Sequence, residues 1–416
     1  MSPSTMAAPT VAGTDEIRSH FPSMQRTHRG HAVAYLDGPG GTQVPRAVVD
    51  RMADYLQHHN ANTHWRYPTS AETDELILEA RRALADFVNG SPDEIAFGAN
   101  MTTLTFHLAR ALGRGWTSKD EVVVTELDHH ANVAPWRALE RERGVKVVVA
   151  RMRVEDGTLD LDDLERKIGA RTRLVAIGAA SNALGTISDV RRVAAAARAN
   201  KALVFVDAVH YAPHALVDVK AFDCDFLACS AYKFYGPHIG ALWGKHDLLQ
   251  GLDVPKLDPA PSEAPENLET GTQNHEGIVG AGAAVDYLAS LAGQSRSRRV
   301  ALATTFAGLH TRGMELFRSL WAGLSEIRGV RLYGCPPGRE RTPTVALTVA
   351  GISCDDVAVA MAERGLFVSH GDFYAATVIE RLGVGPDGVV RVGCSVYSTA
   401  DEIQRVVRVV AEIARD

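Results

Sequence analysis

The stretch Cys229-Ser-Ala-Tyr-Lys-Phe-Tyr-Gly-Pro-His-Ile-Gly240 decides how this chain is read. The run that leads into it, Phe226-Leu-Ala-Cys229, is short and apolar, as at the end of a buried strand. Lys233 follows four residues after Cys229, and Phe234-Tyr-Gly-Pro237 is a turn signal. In open α/β sheets ligands bind outside the carboxyl ends of the strands, so a lysine on this turn faces a cleft. Burial there disfavours the ammonium, lowers its pKa and leaves an amine that attacks aldehydes. Taken alone, the same lysine also reads as a solvated surface residue, as most lysines are.

Asp207 shifts the balance. It ends a second apolar run, Ala202-Leu-Val-Phe-Val206. Two strand ends, one with a carboxylate and one with an amine, lie about 25 residues apart, close enough in sequence for their strands to be neighbours. Pyridoxal 5′-phosphate needs this combination: a lysine to hold its aldehyde and a carboxylate to keep its pyridine nitrogen protonated as an electron sink. Further motifs surround the pair in order: YLDGPGG (35–41), ELDHHANVAPW (126–136), SNALGTISD (181–189), VDAVHYAPH (206–214) and SAYKFYGPHIGALWG (230–244). With these, the sequence from Tyr35 to the C-terminus resembles the class V aminotransferase group of fold-type I pyridoxal-phosphate enzymes. Within that group it is most similar to the cysteine desulfurase and selenocysteine lyase branch.

Composition sets outer bounds. The chain has 416 residues, 46% of them apolar and 23% charged, ordinary for a globular protein large enough to need no staples. A net charge of −6 disfavours a nucleic-acid partner. The five cysteines, Cys224, Cys229, Cys335, Cys354 and Cys394, are unpatterned, which reads as reduced thiols and a cytoplasmic protein. The first residues lack a basic and then apolar leader, and no long uncharged apolar run suggests a membrane span.

The expected fold is α/β. Residues 1–30 read as an N-terminal arm, disordered to about residue 14. Residues 31–295 read as a large cofactor-binding domain, because strand and helix patterns alternate from Glu94 to Gly244, which predicts a mostly parallel sheet of seven strands. Residues 296–416 read as a connector helix and a small α+β domain, with the N-terminal segment a candidate to pack against it.

The resemblance assigns roles residue by residue. Asn100-Met-Thr-Thr103 opens a helix after a strand, where backbone N–H groups and the helix dipole suit a phosphate, although a plain helix cap reads the same way. Met101 and Thr102 fall at the family's phosphate cup, where relatives often carry Gly-Thr-Thr. His129 matches the histidine that stacks on the pyridine ring and relays protons; no complementary ligand set for a metal accompanies it. Asn182 and His210 fall near the phenolic oxygen. Ser230 would reach the phosphate, and Lys233 would carry the cofactor. Thr272 matches a residue that reaches the partner's phosphate, which implies a homodimer with shared sites. Arg391 matches the arginine that grips a substrate carboxylate bidentately. Gly41 lies at the substrate side of the glycine-rich turn.

One loop departs from the pattern. Desulfurases use a mobile loop cysteine to accept sulfur; aligned on Gly371 and Ala375, this chain places Tyr374 there, and Ser369 where a second arginine often lies. The expectation is a homodimeric enzyme acting on a small amino acid, with β-elimination of a C–S bond and no persulfide. A transaminase or epimerase, and a non-catalytic carrier of the cofactor, remain as alternatives. A nicotinamide enzyme would need G-x-G-x-x-G after the first strand, and Gly98-Ala-Asn-Met is not that.

Overall fold

The computed structural model describes residues 11–293, 295 and 297–415. Seven strands form the large sheet: β1 (Ile95–Gly98), β2 (Glu121–Thr125), β3 (Lys146–Ala150), β4 (Thr172–Gly178), β5 (Leu203–Asp207), β6 (Phe226–Ser230) and β7 (Gly240–Gly244). Their order is β1-β7-β6-β5-β4-β2-β3. Only β7 runs antiparallel to its neighbours. The β-branched runs explain the arrangement. Val122, Val123 and Val124 are fully buried, as are Val204 within 1%, Phe205 and Val206, because helices cover both faces. Each such side chain contributes about 1.5–3 kcal/mol on burial.

Capping residues set the helices. Asn100 accepts from Thr103 N at 2.9 Å and starts the helix Met101–Gly113. Asp189 does the same for Val190–Ala199 through Arg192 N. The helix Pro68–Val88 stops at Asn89, whose φ of 64° is left-handed.

The register aligns the functional strand ends on one edge of the sheet. Asp207 pairs with Gly178 on β4 and Ala228 on β6, Ser230 with Gly240, and Gly240 with Gly98. Gly240 has no alternative there, since a Cβ would lie 2.4 Å from the backbone carbon of Asn100.

The helix Arg298–Ser325 leads to a four-stranded sheet of β8 (Val330–Tyr333), β9 (Thr344–Val349), β10 (Ser369–Gly371) and β11 (Val389–Gly393), in the order β8-β9-β11-β10. Ala34–Tyr35 pairs in parallel with Leu366–Phe367, and Leu36 shares the apolar core around Phe317, Leu347 and Val390. Residues 34–36 therefore pack with the C-terminal unit.

The expected disorder is only partly addressed: residues 1–10 lie outside the described ones. Residues 11–14 are ordered, with Ala12 N donating to Leu291 O at 2.8 Å and a helix starting at Thr14. That part of the expectation is corrected; small residues there dock on the connector helix, where Val11 packs at Gly308.

Candidate active site

A cavity of about 720 Å³ opens where the carboxyl edge of the large sheet meets β10 and β11. Met101, Thr102, His129, Asn182, Asp207, His210, Ser230, Lys233, Tyr374 and Arg391 all line it. Two sequence candidates do not. Gly41 lies just outside the wall formed by Pro39 and Gly40, beside the Tyr232 ring. Thr272 lies in a separate hollow of about 610 Å³ with His64, Trp65 and Gln273.

Lys233 ends a single 3-10 turn directly after β6. Its Nζ donates to the carbonyls of Pro39 and, at 3.0 Å, Gly40. Burial lowers its pKa to about 7, and Arg391 adds to the effect; Asp37 and Asp207 oppose it. The side chain is therefore a buried amine, held by the glycine-rich turn, with a substantial neutral fraction at neutral pH.

Asp207 accepts from Val209 N at 2.9 Å. Burial raises its pKa to about 6, while Val209 N–H and Lys233 favour its anion, so it is mainly ionised at neutral pH. Asp128 sits behind it, also buried, accepting from Gly178 N at 2.7 Å and from Asn132 Nδ2 at 3.1 Å. Burial first, and then the charge of Asp207, push Asp128 up to about 8. The neighbouring charge of Asp207 thus disfavours a second anion at Asp128.

The His129 imidazole is held neutral, its pKa lowered to about 4 by burial and then by Lys233. Its Nδ1 accepts from Ala131 N at 2.9 Å, which assigns the proton to Nε2. His210 is buried, and its Nε2 lies 2.9 Å from Thr342 Oγ1. Burial holds it well below the ordinary imidazole range. Ser230 Oγ accepts from Met101 N at 3.0 Å, tying β6 to the helix N-terminus.

Arg391 rises from β11 and is 3% exposed. It donates to Asn182 O at 2.9 Å, Ser369 Oγ at 3.1 Å and Asp37 Oδ1 at 3.2 Å. The Phe373 ring covers its face, with the guanidinium carbon 3.9 Å from the ring centroid. Asn182 Nδ2 donates to Phe373 O at 3.0 Å, which leaves one N–H of that amide. Tyr374 is 74% exposed, and its ring centroid lies 5.6 Å from that of His129.

Asp37, Asp128 and Phe373 belong to this site although sequence reasoning gave them no role. Asp37 stood inside a quoted motif and Phe373 beside Tyr374; only the fold brings them to Arg391.

The residues fit pyridoxal 5′-phosphate. An amine, an ionised carboxylate and a helix N-terminus with a hydroxyl match its aldehyde, ring nitrogen and phosphate. Asn182 Oδ1, His210 Nδ1 and Arg391 Nε are buried without a protein partner, so the lining has polar capacity to spare. No cysteine lines the cavity, and all five are buried with no disulfide. Burial pushes the thiols of Cys229, Cys354 and Cys394 up to about 12.

Known proteins agree with this geometry. A family model described as "Aminotransferase class-V" matches residues 34–406. A cysteine desulfurase of Pectobacterium atrosepticum is 32% identical over 96% of this chain and 98% of its own length. A probable cysteine desulfurase of Streptomyces coelicolor is also 32% identical, over 96% of both chains. A cysteine desulfurase structure from Thermococcus onnurineus superposes with a TM-score of 0.88 at 27% identity, covering 99% of this chain and all of the other. Among the described residues, no helix is long and apolar enough to cross a membrane. The cavity, the sheet order and these matches lead to one conclusion: the chain belongs to the class-V aminotransferase family of pyridoxal-phosphate enzymes.

Proposed function

We propose that this enzyme cleaves the C–S bond of cysteine or a close relative by β-elimination, without passing sulfur to a protein thiol. The observation that carries the reading is the lining itself: amine, carboxylate and arginine are together, while every cysteine is buried elsewhere. A sulfur acceptor must be a thiolate within reach of the substrate. Cys394, the residue directly after β11, lines a different, small hollow with His214 and Tyr235.

Lys233, Met101, Thr102, Ser230, Asp207, His129, Asn182 and His210 would hold the cofactor. Bound there, it supplies an electron sink for the pair left at Cα. The chain's own residues do the rest. Arg391 fixes the substrate carboxylate. Lys233 takes the Cα proton, an act suited to an amine whose pKa lies near 7. The Cβ–S bond breaks, and the leaving sulfur takes a proton from the wall that carries Tyr374 and His129. Water completes the balance: cysteine and water give pyruvate, ammonia and hydrogen sulfide.

The working form is a homodimer. Leu56, Trp65 and Tyr67 are exposed on the segment beside the hollow that holds Thr272, which supports an apolar face covered by a second copy. Unpaired thiols suit a reducing compartment such as the cytoplasm.

Product analysis on L-cysteine tests the reaction. Pyruvate, ammonia and sulfide in equal amounts are expected, unchanged in Cys394→Ser. Alanine as the main product, lost in that variant, overturns the elimination and moves the acceptor to Cys394. A keto acid formed without ammonia release, or exchange of configuration at Cα, would assign the transaminase or the epimerase instead.

A further inference from the structure

Arg391 has five N–H donors in a rigid fork. Three are engaged: one on Nη1 by Asn182 O, and both on Nη2 by Asp37 and Ser369. A carboxylate can be gripped bidentately along two edges, Nε with Nη2 or Nη1 with Nη2. Both edges use an Nη2 hydrogen. Nε is buried and unpartnered, so the Nε–Nη2 edge is already half free.

One Nη2 partner must therefore yield to a bound substrate carboxylate. Ser369 is fixed by strand pairing, opposite Arg391 in the β10–β11 register. Asp37 sits on a turn, its side chain 42% exposed against 3% for Arg391. It is also an anion, and a second carboxylate beside it is repelled. We infer that Asp37 is an internal counter-ion that competes with the substrate's α-carboxylate for Arg391, making it a specificity-determining residue. The inference rests on the reading of Arg391 as the carboxylate grip.

The turn that carries Asp37 also holds the lysine. Asp37 O accepts from Gly40 N at 2.9 Å and Gly41 N at 3.1 Å, and the Pro39 and Gly40 carbonyls hold Lys233 Nζ. Gly40 leaves room for the carboxylate, since a Cβ there would lie 2.3 Å from Asp37 Oδ2. Exchange at Arg391 thus occurs on the same five-residue turn, 37–41, that positions the reactive amine.

The test uses the cofactor-loaded enzyme and two probes, L-alanine and ethylamine, with dissociation constants read from the absorbance of the bound cofactor. Removing the competing charge in Asp37→Asn should tighten L-alanine by about fivefold, the scale of a partly exposed ion pair, and leave ethylamine little changed. Asp37→Ser provides a second removal of the charge, and Ser369→Ala, which removes a neutral partner, should have the smaller effect. The inference is overturned if L-alanine is unchanged or weakened in both Asp37 variants, if the two probes tighten alike, or if L-alanine binds none of the proteins. Arg391→Gln separates the two readings. If it weakens L-alanine selectively while the Asp37 variants fail the test, only the role of Asp37 falls. If it affects both probes alike, the carboxylate grip itself is wrong.

Discussion

Replacing Lys233 by methionine should change how stability depends on pH, in a direction fixed by burial. The lysine is 8% exposed, and its pKa falls from the usual 10.5 to about 7. Between those two values the unfolded chain binds a proton that the folded protein does not. Stability of the wild type therefore rises with pH across that window, by up to about 1.4 kcal/mol per pH unit. Below pH 7 both states are protonated and the cost of burying the charge is fully present; above 10.5 it is gone. Across the whole window, from about 7 to 10.5, the relief is about 5 kcal/mol. Lys233→Met has no proton to bind. It also leaves the Pro39 and Gly40 carbonyls without their donor, at about 1–3 kcal/mol each. That cost is the same at every pH, so the absolute difference at pH 7 is a balance of opposing effects, whereas the slope has one source. Urea unfolding of the cofactor-free proteins at pH 7, 8, 9 and 10 measures it. The wild type should gain steadily on the variant as pH rises. A difference that stays constant would mean that Lys233 remains an ammonium in the fold and is no neutral nucleophilic amine.

Three further outcomes are expected. Borohydride treatment of the loaded enzyme, followed by peptide mapping, should place a pyridoxyl mass on the peptide containing Lys233; a label on another lysine contradicts the site. Asp207→Asn keeps an acceptor for Val209 N and should retain the cofactor, while kcat falls by about 10²–10³, the range for removing one preorganised electrostatic group. Near-normal kcat in a fully loaded variant would rule that role out. Tyr374→Phe keeps the ring and removes the hydroxyl: a loss of about 10²–10⁴ in the elimination rate marks it as the proton donor to sulfur, and an unchanged rate leaves that task to His129.

Much of the large sheet was legible because its signal is local. Ile95–Gly98, Glu121–Thr125 and Leu203–Asp207 are each apolar runs that end at polar or glycine positions. Lys233 and Asp207 were legible for the same reason, since a strand end and its side chain are written together. What stayed hidden depends on distant pairing. The strand Val330–Tyr333 is short, with two half-buried residues, an exposed Arg331 and one buried Tyr333, and the helix Ala376–Leu382 is too short to show a period. Asp128 stands in a quoted motif without a role of its own, yet it is buried against Gly178, 50 residues on. Asp37 meets Arg391 across 354 residues, a contact that no spacing in the sequence announces.

The loop that carries Tyr374 bears most directly on the chemistry. Phe373 and Tyr374 both have left-handed backbones, with φ of 54° and 56°. Such a conformation costs a non-glycine residue about 1–2 kcal/mol, so it persists only where surrounding contacts determine it. Here they do. Phe373 O accepts from Asn182 Nδ2, Tyr374 O accepts from His130 N at 2.7 Å, and Tyr374 N donates to Asp372 Oδ1 at 2.9 Å. The Phe373 ring lies against Arg391. A residue that accepts sulfur and delivers it elsewhere must leave the pocket after the reaction, breaking these contacts on each turnover. An elimination asks for the opposite: a wall that stays in place, shields the Cβ–S bond and offers a proton as sulfide departs. The anchoring of this loop to both the large domain and Arg391 supports the second demand, and it explains why an aromatic pair suits a position where a thiol on a free loop would serve a different reaction.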